Sequence, residues 1–173
     1  MTVHNSAYDL AQLALLFREG EEEARLAAVQ KLSRQPEEPT ERKAVLALLI
    51  EVMGDDSWQV RKEAVAAALS WTDTELLASA LVDAMSEPDN IGRRNAVIEG
   101  VMKLGPICIE PLLAALAHKP EHRKVLVDVL GTYGDTRVIP SLGQALLHDD
   151  ANVRAAAMEQ LATKLRFQIP ELF

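Results

Sequence analysis

The side chains here with chemistry to offer are four histidines, one cysteine, a recurring arginine and two tryptophans. His118 and His122 stand four residues apart, a spacing that sets two imidazoles on one helical face to hold a metal ion. That geometry needs an unbroken helix. Pro120 lies between them and predicts a turn, so no metal site is expected. Cys108 sits between Ile107 and Ile109 in an apolar stretch and reads as a buried structural thiol. A lone cysteine forms neither an internal disulfide nor a multi-cysteine zinc site. No Gly-x-Ser-x-Gly, phosphate-binding loop or Gly-x-Gly-x-x-Gly is present. The residues therefore predict a non-enzymatic protein with no cofactor.

The arginines recur with a pattern. Arg25, Arg61, Arg93 and Arg154 are each followed by a small Ala three residues on (Ala28, Ala64, Ala96, Ala157) and an apolar residue after it; Arg123 heads a weaker copy. As a ladder they would make an anion-binding track. Acidic residues accompany them unit by unit, however, so each is expected to pair with an Asp or Glu of a neighbouring turn and lock the stack. One position further come Leu26, Lys62, Arg94, Lys124 and Ala155, with a base at one register in three consecutive units. Glu63, Asn95, Glu99, Asp128, Glu159 and Gln160 lie in nearby registers. This row is either an ordinary solvated helix face or a short basic stripe in a mixed-charge groove, which suits a protein or peptide better than DNA. Trp58 and Trp71 flank one helix. Packing in the core or at its edge is expected for both, and a binding hot spot is the alternative.

These residues need elements to hold them. The arginines are 36, 32, 30 and 31 residues apart, a period that fits two helices and two short turns. Apolar residues behind each arginine fall on one helical face. Upstream first helices are predicted over 7–18, 40–53, 74–86, 106–118 and 136–148. Leu46, Leu49, Ile50 and Met53 show the helical spacing, as do Leu112, Leu113 and Leu116. Ser6 with Asp9 reads as a capping box, and Asp135 after Gly134 as a helix start. Pro106 suits a first turn. Gln35–Pro39 lengthens one linker as a loop insertion. The expected architecture is all-α: one right-handed solenoid domain of about five antiparallel helix pairs, over approximately 6–35, 40–71, 74–104, 106–131 and 135–165. A tail over 166–173 either caps the last pair or docks elsewhere.

Composition narrows the function classes. Apolar residues make up 49% of the 173, charged residues 25%, and the net charge is −8. The apolar share is too high for a disordered chain. No apolar run is long enough for a membrane span, and the N-terminus lacks a secretory signal, which predicts a soluble cytoplasmic protein. The acidic balance argues against a nucleic-acid partner, since phosphate binding needs clustered Lys and Arg.

Two segments carry a family resemblance. Asp55-Asp56-Ser57-Trp58-Gln59-Val60-Arg61-Lys62-Glu63-Ala64 and Asp149-Asp150-Ala151-Asn152-Val153-Arg154-Ala155-Ala156-Ala157 resemble the second helix of HEAT repeats. They are most similar to the short bacterial kind called phycobilisome-lyase-like. Leu104-Gly105-Pro106 through Leu116 resembles the first helix, and Leu130–Asp135 the turn between units. The resemblance implies a scaffold or adaptor that binds a protein partner through the concave face of its second helices. It also implies an alternative, a bilin lyase or bilin-lyase-like chaperone acting on a tetrapyrrole. A weaker alternative is nucleic-acid binding. No His-Glu dyad supports the iron-dependent hydroxylase branch of the family.

Overall fold

The computed structural model describes residues 8–85, 90–118 and 122–165, and all regular structure among them is helical. The helices are α1 (Leu10–Glu19), α2 (Glu22–Lys31), α3 (Pro39–Val52), α4 (Trp58–Leu69), α5 (Thr74–Ala84), α6 (Ile91–Leu104), α7 (Ile109–His118), α8 (Arg123–Thr132), α9 (Ile139–Ala145) and α10 (Ala151–Gln160). The tail over 166–173 and the residues 86–89 and 119–121 lie outside the described residues.

The chain forms two compact units, one ending at Leu104 and one starting at Gly105. In the first, α1/α2, α3/α4 and α5/α6 are antiparallel pairs. The second helices α2, α4 and α6 pack in a row, and the first helices α1, α3 and α5 in another. Val29, Leu32, Leu46, Leu49, Met53, Leu77, Leu81 and Val97 are fully buried between the rows. In the second unit α7/α8 and α9/α10 pair, α8 packs on α10, and Ile109, Leu112, Leu126, Leu130 and Leu142 form the core. Each pair presents an apolar face that only a neighbouring pair can cover. This is the layered helix pairing of an all-α solenoid.

Caps follow the polar residues. The carboxylate of Asp9 accepts from Gln12 N at 3.0 Å, Asp73 from Leu76 N at 3.2 Å and Asp150 from Asn152 N at 2.8 Å. The capping-box reading at the first helix is corrected: α1 starts at Leu10 with Asp9 itself as the cap, and Ser6 lies outside the described residues. Two further corrections concern α7 and α9. Each opens with a short 3₁₀ turn, Pro106–Cys108 and Thr136–Val138, before α-helix begins. Pro111 and Pro140 explain this. A proline nitrogen cannot bond the carbonyl four residues back, so the segment before it closes with tighter i→i+3 bonds instead. Cys108 N donates to Gly105 O at 3.0 Å and Val138 N to Asp135 O at 3.2 Å. Gly105, just before the 3₁₀ turn at Pro106–Cys108, has φ +86°, a conformation that side chains with a Cβ avoid.

The linker insertion at Gln35–Pro39 is folded against the next pair. The side-chain oxygen of Gln35 accepts from the backbone N–H of Thr72 and of Asp73, each at 2.9 Å. Ser70 Oγ donates to Ser33 O at 2.7 Å, and Pro36 is buried. Arg42 donates to the carbonyls of Pro36 and Glu37 and pairs with Asp73 at 2.7 Å.

Two stability outcomes follow from these contacts. A Cβ on Gly131 in α8 would overlap Cβ and Cγ of Gln160 on α10. Gly131→Ala should therefore cost about 1–3 kcal/mol by overpacking, measured by urea denaturation; an unchanged midpoint would show that α8 and α10 are not this close. The Arg42 guanidinium holds the Asp73 carboxyl below its ordinary value of 3.8. Its contribution is complete above that value and is lost as pH falls through the lowered folded-state pKa. Asp73→Asn should cost about 0.5–1 kcal/mol at pH 7. The gap to the wild-type protein should close in acid, and a gap independent of pH would contradict the pairing.

Candidate functional site

The recurring arginines sit at the start of the second helices, and their partners differ from the expectation. Arg25 follows it: Nε and Nη2 grip the Asp55 carboxylate of the next pair at 2.8 and 3.0 Å, and Nη1 donates to Gly20 O. Arg61 instead donates to the carbonyls of Asp55 and Asp56, at 2.6 and 3.0 Å. Arg154 does the same to His148 and Asp149, at 2.7 and 2.6 Å. These are the carbonyls six and five residues back, in the turn leading into the same helix. A guanidinium placed there reaches its own turn more easily than a neighbour's carboxylate. Arg93 packs beside Gly54, where an added Cβ would lie 3.3 Å from the Arg93 Cβ. Arg61 and Arg154 therefore staple their own turns, and Arg25 bridges two pairs through a carboxylate.

The row one position on is heterogeneous. Lys62 is exposed on α4 with its ammonium 5.7 Å from the ring centre of Trp58, a cation–π arrangement worth about 0.5–1 kcal/mol when exposed. Arg94 is half-buried on α6. Neither has an ion pair among the described residues. Lys124, on α8 of the second unit, is tied to Asp128 at 2.7 Å on its own helix. Glu99 is likewise tied to Lys103 at 2.6 Å. Glu63 is half-buried, and Asn95 and Glu159 are exposed. Gln160, expected near the exposed face, is buried against Gly131.

The tryptophans part ways. Trp58 is the first residue of α4 and is 60% exposed, against the expectation of core packing. Trp71 follows that expectation and leaves the candidate surface: it is 3% exposed, and its Nε1–H donates to Leu32 O at 3.1 Å. Having left α4, the chain turns Trp71 into the seam between α2 and α4, where its ring fills volume and its N–H closes the end of α2.

Elsewhere the polar groups serve the fold. Cys108 is fully buried, and burial pushes its thiol up to about 11 despite a hydrogen bond with Tyr133. It is far from the thiolate form at neutral pH. His148 Nδ1 accepts from Asp150 N at 3.0 Å and shapes the turn before α10. His122 is the residue preceding α8 and His118 ends α7, so the two belong to different elements.

On the exposed side of α6, Asn95, Ile98, Glu99, Met102 and Lys103 line a shallow hollow of about 500 Å³. Ile91 and Met102 stand out on the same helix at 67% and 48% exposure. Sequence reasoning passed over Ile91, Ile98 and Met102. Their spacing of seven and four residues was a usable signal, as it aligns them on one helical face.

Antiparallel helix pairs, second helices packed on one another and arginines that bond the turns before α2, α4 and α10 define a helical-repeat protein. The chain belongs to the HEAT-repeat family, whose model of HEAT repeats matches residues 11–102 and 109–167. Among curated proteins, none matches this chain. No helix among the described residues is long and apolar enough to cross a membrane.

The two tryptophans make the site assignment measurable. With Trp71→Phe, the remaining Trp58 should emit at long wavelength and be quenched readily by iodide; with Trp58→Phe, Trp71 should emit at short wavelength and resist quenching. Trp71→Phe should also cost about 1–3 kcal/mol, because the buried Leu32 carbonyl loses its donor. Equal quenching in both variants would refute the placement.

Proposed function

We propose that this chain is a non-enzymatic adaptor that binds a protein partner through the exposed face of its second helices. The observation that carries this reading is the α4–α6 face. There a rigid stack presents an exposed Trp58 under Lys62, with Arg94, Ile91 and Met102 beside it. Large aromatics and Arg are the side chains most enriched where protein interfaces concentrate their energy. HEAT repeats commonly serve as interaction scaffolds, which supports the class of function. A surface held by packed helices also loses little freedom on binding, which lowers the ordering cost.

Comparative pull-down with mass spectrometry tests it. Lys62→Glu and Arg94→Glu together should remove a partner that the wild-type chain retains; retention of the same partners would reject this face. The lyase-like alternative makes its own demand, an absorbance shift when a bilin is mixed with the protein. Such a shift would replace the adaptor reading with tetrapyrrole binding.

A further inference from the structure

Two helices shape the α4–α6 face. Trp58, Lys62 and Ala66 on α4 and Ser70 at its C-cap are exposed at four-residue intervals, so the stripe falls from a large ring to small side chains. On α6, Ile91, Asn95 and Met102 are exposed and Ile98 is half-buried, and the hollow of about 500 Å³ lies over the second half of that helix. The helices are in register at their first turns. Asn90 Nδ2 donates to Gly54 O at 2.9 Å, and an added Cβ on Gly92 would lie 3.4 Å from Arg61 Cδ. Lys62 and Arg94, one residue past Arg61 and Arg93, therefore stand on adjacent helices, whose axes pack about 10 Å apart. The apolar positions from Ile91 to Met102 span about 16 Å, or three helical turns.

Charge identifies the occupant. Lys103 and Lys124 already have carboxylates at 2.6 and 2.7 Å. Lys62 and Arg94 have none among the described residues, in a chain whose net charge is −8. Two unmatched cations above an apolar stripe call for carboxylates above an apolar face. Nucleic acid fits poorly: two cations are few for a phosphate backbone, and Glu63 and Glu99 lie in nearby registers.

We propose that this face receives an amphipathic helix of about three turns from a protein partner. The helix would set apolar side chains against Trp58, Ile91, Ile98 and Met102 and carboxylates against Lys62 and Arg94. This rests on the adaptor reading above and specifies the partner's chemistry.

The probe is a phage-displayed library of three-turn helical peptides, selected on the intact wild-type chain. Enriched peptides should carry Asp or Glu beside Leu, Phe or Trp. Lys62→Glu with Arg94→Glu should weaken their binding at least about tenfold, and peptides with acid-to-lysine exchanges should recover at least about tenfold on that charge-reversed protein. Lys62→Glu alone, at an exposed position, should give a smaller loss in the same direction and guards against a folding defect in the double variant. Enriched peptides without acids, or acidic peptides that bind the double variant equally well, would overturn this inference. The adaptor reading would then stand or fall on its own pull-down. Tighter binding of a single-stranded RNA oligonucleotide than of any selected peptide, lost in the same variants, would also overturn it.

Discussion

Close approach of the second helices is the constraint on which the rest of the structure depends. It is set by the small residue three places after each recurring arginine. Ala28, Ala64, Ala96 and Ala157 are all buried, and one turn beyond Ala96 a Cβ added to Gly100 would lie 3.9 Å from Val65 of α4 and 3.2 Å from Leu81 of α5. A larger side chain at these slots would push neighbouring helices apart and unseal the core that each pair borrows from the next. Once the helices are this close, their registers are locked. Equivalent positions then form rows, and a row means something only because of that lock.

Much of the fold was legible because its signal is periodic. A thirty-residue repeat of arginine, small residue and apolar residue is hard to satisfy with anything but stacked helix pairs, and the first helices announced themselves by apolar spacing. What escaped was local. The 3₁₀ openings of α7 and α9 hinge on Pro111 and Pro140, whose effect falls on residues before them rather than at the proline itself. The role of Gln35 was hidden for another reason. A flexible polar residue in a linker has no periodicity, and its partners at Thr72 and Asp73 are more than thirty residues away.

The candidate site was legible in position more than in partner. Lys62 and Arg94 could be placed at one register from the repeat alone. That Lys124 is neutralised by Asp128 while Lys62 leans on Trp58 depends on side-chain rotamers that spacing does not dictate. Trp58 and Trp71 flank the same helix and looked equivalent. One begins the helix and faces outward; the other lies just past its end, where the turning chain carries it into a seam. The arginines show the same limit. Their recurrence announced a structural duty, but the choice between a neighbour's carboxylate and the carbonyls of their own turn is one of reach, and in Arg61 and Arg154 the shorter reach prevails.

The linker insertion gives the first unit a mechanical character. At the beginning of α2 and α4, Arg25 clamps Asp55. At their far ends, Trp71 holds Leu32, Ser70 holds Ser33 and Gln35 holds the chain at Thr72 and Asp73. Two helices fastened at both margins resist splaying about either one, much as a page bound along two edges cannot be turned. Torque applied at the exposed α4–α6 face is therefore not dissipated by opening the α2–α4 seam. α2 and α4 therefore respond to such a torque as one body.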